Sequence, residues 1–75
     1  MMMTAVLVKG GLTGVISLVR LGGAFILVSQ DSRRGLPHAE REYDPEVAAR
    51  KLKAGIARSR RRGWQLIYKG PVLWG

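Results

Sequence analysis

Two glycine pairs, Gly10-Gly11 and Gly22-Gly23, divide the first thirty residues into three apolar runs, and no other feature limits the fold as tightly. The runs are Ala5-Val6-Leu7-Val8, Val15-Ile16-Ser17-Leu18-Val19 and Ala24-Phe25-Ile26-Leu27-Val28, all short and rich in β-branched side chains. Such side chains suit a pleated chain, and glycine reaches the positive φ angles that tight hairpins demand. The segment reads as three successive antiparallel strands. Residues 31–43 are polar, are broken by Gly35 and Pro37, and read as a surface loop.

A helix is expected next. Asp44 offers an N-cap oxygen, Pro45 suits the first helical position, Glu46 complements the dipole, and Gly63 suits the site just past the end. Pro45 to Arg62 is 18 residues, or roughly 27 Å of helix. At about 100° per residue, Ala48, Ala49, Leu52, Gly55 and Ile56 form a narrow apolar stripe, with Arg50, Lys53, Arg58 and Arg61 spread over the opposite side. A stripe this thin fits a helix lying on a sheet.

Trp64 to Tyr68 then reads as a last strand, with Trp64, Leu66 and Tyr68 on one face and Gln65, Ile67 and Lys69 on the other. Gly70-Pro71 ends it, and Val72-Leu73-Trp74 is read as a short extended piece. The expected architecture is one α+β domain over residues 1–75, in β-β-β-α-β order, with one basic helix packed on a small antiparallel sheet.

Charge is segregated along the chain. Thirteen Lys and Arg oppose five Asp and Glu, for a net +8, yet all five acids lie between Asp31 and Glu46. Everything after Glu46 carries Arg50, Lys51, Lys53, Arg58, Arg60, Arg61, Arg62 and Lys69 without one acid. One-sided charge of this kind repels itself, and a bound polyanion relieves it. Arginine forks grip phosphate oxygens, and four arginines within Arg58 to Arg62 exceed what the negative end of a helix dipole calls for. Arg33 and Arg34 in the loop offer a second phosphate contact, and Trp74 is the aromatic best placed to meet a partner.

The leading expectation is therefore non-enzymatic binding of nucleic acid, DNA or RNA, with little sequence selectivity. The contacts would come from Arg50, Lys53, Arg58, Arg60, Arg61, Arg62, Arg33, Arg34, Lys69 and Trp74. A second reading is a small inhibitor or adaptor, of the sort phages and mobile elements encode, docking on the acidic surface of a nucleic-acid enzyme. A third is a membrane-associated subunit anchored by residues 10–30, a 21-residue stretch whose one charge is Arg20. Arg20 at its centre would cost ~2.5–3.5 kcal/mol on insertion scales.

Catalytic, cofactor and metal chemistry is not expected, since His38 is the single histidine and cysteine is absent. The lack of cysteine suits a reducing cytoplasm. Open sheet edges and apolar side chains among residues 4–28 favour pairing of two copies into a homodimer.

Overall fold

A computed structural model of the chain describes residues 3–33 and 36–71. Five strands and one helix follow one another as β1 (Met3–Lys9), β2 (Leu12–Leu21), β3 (Ala24–Asp31), β4 (His38–Glu42), α1 (Pro45–Arg61) and β5 (Gln65–Gly70). The strands form a single antiparallel sheet in the order β4-β3-β2-β1-β5. The expected α+β layering holds, with one more strand than the sequence suggested.

The glycine pairs build the hairpins. Gly10 and Gly11 both take positive φ (50° and 84°) between the paired residues Lys9 and Leu12, the signature of a type I′ turn whose twist matches that of its strands. Residues 10–30 thus fold as β2, most of β3 and their turns, and not as one continuous helix. No helix among the described residues is long and apolar enough to cross a membrane.

β4 lies where a surface loop was expected. His38-Ala39-Glu40-Arg41-Glu42 has no apolar run to announce a strand, but Ser29 to Phe25 of β3 offer it an unpaired edge. Backbone pairing supplies the order that side-chain propensity does not.

Because strand side chains alternate, pairing partners share a face. Met3, Ala5 and Leu7 of β1, Ile16 and Leu18 of β2, and Phe25 and Leu27 of β3 all lie on the side covered by α1. Ala48, Leu52 and Ile56, spaced four apart, close that layer from the helix. Leu7 and Leu18, 2% and 1% exposed, are its largest fully buried side chains.

A bulge corrects the expected facing of β5. The register slips between Val6 and Leu7, so Leu66 pairs with Leu7 on the helix side while Tyr68 pairs with Val6 on the opposite side. Trp64 and Leu66 pack against the core, and Tyr68 does not share their face.

The core is small, so single truncations should be costly. Leu18→Ala is expected to lower unfolding free energy by about 2–5 kcal/mol in denaturant titrations, whereas Leu36→Ala, at a residue 82% exposed, should change it by less than about 0.5 kcal/mol.

Candidate nucleic-acid interface

The two ends of α1 dictate where the functional side chains go. At its start the Asp44 carboxylate accepts from the backbone N–H groups of Glu46 (2.8 Å) and Val47 (3.4 Å). At its end Trp64 N–H donates to the Ser59 carbonyl and Gly63 N–H to the Arg60 carbonyl, at 3.0 and 3.1 Å. With Gly63 at φ 96°, this is a Schellman closure. It reverses the chain within two residues and lays the Trp64 ring on the sheet beside Gly14, where a Cβ would stand only 3.3 Å from ring atom Cζ3.

Lys9 completes this end of the helix. Its ammonium donates to the Arg62 carbonyl at 2.6 Å, and its stem runs beside Gly63. The sequence pattern did not single out Lys9. Its contact partner lies 53 residues away, and only the β1–β5 pairing brings the two together.

Between α1 and the β3–β4 half of the sheet lies a cleft of about 510 Å³. The helix presents only Ala54 and Gly55 to it midway, which leaves the space open. Arg33, His38, Lys51, Arg58, Arg62 and Trp64 line it. The Arg33 guanidinium sits 6.0 Å from the Trp64 ring centroid, within cation–π range. Asp31 steadies Arg33, accepting its backbone N–H at 2.8 Å and pairing with its guanidinium at 3.8 Å.

The cations named from the sequence divide into groups. Arg58 and Arg62 line the same cleft as Arg33. Helical geometry puts Lys53 and Arg60 on the other flank of α1 and Arg50 and Arg61 on its crest, and Arg50, Lys53, Arg60 and Arg61 are all exposed. Lys69 is exposed on β5, at the far edge of the sheet from β4. Arg34 and Trp74, together with Val72 and Leu73, lie outside the described residues.

Lys51, a cation not given a role from the sequence, is committed elsewhere. It bridges Glu40 at 2.5 Å and Glu42 at 3.1 Å, tying the helix to β4. The hydrogen bond from Lys51, aided by the Tyr43 backbone N–H, holds the Glu42 carboxyl below the usual glutamate range. The same carboxylates raise the Lys51 ammonium above its usual value. These bonds pair Glu40 and Glu42 with Lys51, and not with the arginines at the far end of α1. Among the described residues no cluster of histidine and carboxylate side chains is arranged to hold a metal ion.

Comparison of the chain with known protein families, with curated proteins and with solved structures finds no match.

The Lys51 bridge has a pH signature. A carboxylate whose pKa is lower in the folded chain contributes stability above its unfolded pKa and loses it as pH falls through the folded value. Lys51→Met should therefore flatten the acid limb of a stability–pH curve below the usual glutamate range. It should also flatten the alkaline limb above the usual lysine value, where the raised ammonium pKa contributes. Unfolding midpoints from pH 3 to pH 11 check both limbs.

Proposed function

We propose that this protein binds nucleic acid without catalysis, gripping the phosphate backbone with the C-terminal end of α1 and the β3–β4 loop. One observation carries the reading: Arg33 and the pair Arg58 and Arg62, far apart in sequence, line one cleft together with the Trp64 indole ring. Guanidinium groups gathered in one cleft suit a strand of phosphates, since each forks onto two oxygens. Lys9, Arg60 and Arg61 surround the same end and extend the positive surface beyond the cleft.

Trp64, half-buried in the cleft lining, offers an aromatic edge for a sugar or base, and Arg33 would shift to admit one. Sequence selectivity would be weak, because the cleft is furnished mainly with phosphate-binding cations and has only Gln30 of the Asn and Gln type that reads base edges. Arg50, Lys53 and Lys69 would add long-range attraction and little contact. A reducing cytoplasm suits a cysteine-free chain of this kind.

Fluorescence anisotropy with labelled duplex and single-stranded oligonucleotides at two salt concentrations tests the proposal. Replacing Arg58 and Arg62 together by Gln should weaken binding to every sequence alike. It should also reduce the slope of log affinity against log salt by ~1.8 for duplex or ~1.4 for single strands, at ~0.9 and ~0.7 per lost contact. Arg50→Gln with Lys53→Gln removes the same charge from outside the cleft and should change the slope less. Absence of oligonucleotide binding by the unaltered protein at low salt would reject nucleic acid and leave an acidic protein surface as the partner.

A further inference from the structure

We propose that the sheet face opposite α1 is the contact surface of a homodimer in which two copies pack face to face as a β-sandwich with the helices outside. Register defines this face: Val6 beside Val15 and Tyr68, Ser17 beside Thr4 and Val28, and Val19 beside Ile26. Val6, Val15, Val19, Ile26 and Val28 make its aliphatic part, with Val15 37% exposed, while Thr4 and Ser17 lie in the middle and Thr13, Gln30, Arg41 and Tyr68 lie toward its margins.

The polar pair in its middle does not ask for water. Thr4 and Ser17 are 5% and 8% exposed and share a 2.7 Å hydrogen bond across the strands. Another flat apolar layer can therefore cover them without stranding a polar group.

Three observations select a second copy as the occupant. The first is charge. In a chain of net +8, the paired rows of this face carry one ionisable cation, Arg41 on the outermost strand, while the basic side chains of α1 project from the other side of the sheet. Two copies meeting here keep their like charges on opposite outer surfaces, whereas an anionic bilayer or acidic partner would face the side with almost no cations.

The second is area. Five strands ~4.8 Å apart and about seven residues long make a face on the order of 550 Å², so a pair buries roughly 1,100 Å², above the ~1,000 Å² a specific interface needs.

The third is that the edges are closed to the alternative mode of pairing. β4 presents His38, Glu40, Arg41 and Glu42 at one edge, and β5 ends the other with a bulge, Lys69 and Gly70-Pro71. Charges, bulges and proline are the devices that stop strands adding at an edge. The open association surface is the face, where aligned sheets pack ~10 Å apart.

The proposal does not rest on the nucleic-acid reading, and salt separates the two. Sedimentation velocity on the intact chain should show a dimer whose dissociation constant falls as salt rises, because screening relieves repulsion between the outer helices. Oligonucleotide binding should weaken with salt.

Val15→Arg should raise the dimer dissociation constant by roughly 100-fold, as burial of an unpaired charge does, with the circular-dichroism spectrum unchanged. Val19→Arg is the second variant should the first disturb folding. Ile67→Arg, at an exposed apolar residue in the edge bulge, should leave dimerisation intact. A wild-type chain that stays monomeric in high salt, or binds anionic vesicles as a monomer, overturns the proposal. So does a dimer that survives both face substitutions.

Discussion

The seam between α1 and the sheet governs everything else in this molecule. Ala48, Leu52 and Ile56 meet Ala5, Leu7, Leu18 and Leu27, and these seven are the buried apolar core among the described residues. So narrow a contact leaves the helix one way to sit, with the Leu52 side down. Once that rotation is set, each arginine along α1 has its direction: Arg58 toward β3 and β4, Arg61 outward, Arg60 toward the other flank. The small size of Ala48 and Gly55 lets the helix lie close to the sheet, and Ala54 and Gly55 leave the cleft beside it unfilled. Packing and site are thus consequences of one choice of side-chain volumes.

Electrostatics then works within that frame. The five acids are all placed near the middle of the chain. Asp44 caps α1, Glu46 sits in its first turn, Glu40 and Glu42 receive Lys51, and Asp31 receives Arg33. The C-terminal end of the helix, with Arg58, Arg60, Arg61 and Arg62, meets no carboxylate in these pairs. Its backbone carbonyls and the Lys9 ammonium partly answer the helix dipole, which favours cations there but does not need so many. A folded chain that concentrates repulsion in this way gains when an anion arrives, and that is the physical content of the functional reading.

The sheet carries two unlike surfaces, and the difference comes from alternation. One parity of β1, β2 and β3 is spent on the helix. The other places Val6, Val15, Val19, Ile26 and Val28 together with nothing from the same chain to cover them among the described residues. Polar-out alternation would be the ordinary pattern for a sheet with one solvated side. Here polar residues such as Thr13, Gln30 and Arg41 share that side with the aliphatic ones.

Much of the fold was legible in the residues themselves, because its signals are local. Gly10-Gly11 demands a hairpin through its φ angles, and Asp44-Pro45 and Gly63 mark the helix ends through hydrogen bonds that span a single turn. The sign of the basic segment and its place along the chain were equally readable, since charge does not depend on folding. The fourth strand was not legible, because His38 to Glu42 becomes a strand by pairing with β3 and by the Lys51 bridge, both long-range. Nor was the bulge that turns Tyr68 to the other face, because it arises where β5 meets β1 and has no marker in Gln65 to Tyr68. Above all, only the tertiary structure brought Arg33 beside Trp64 in the cleft that Arg58 and Arg62 also line, because a cleft belongs to the distance between elements, and sequence spacing encodes that distance only within an element.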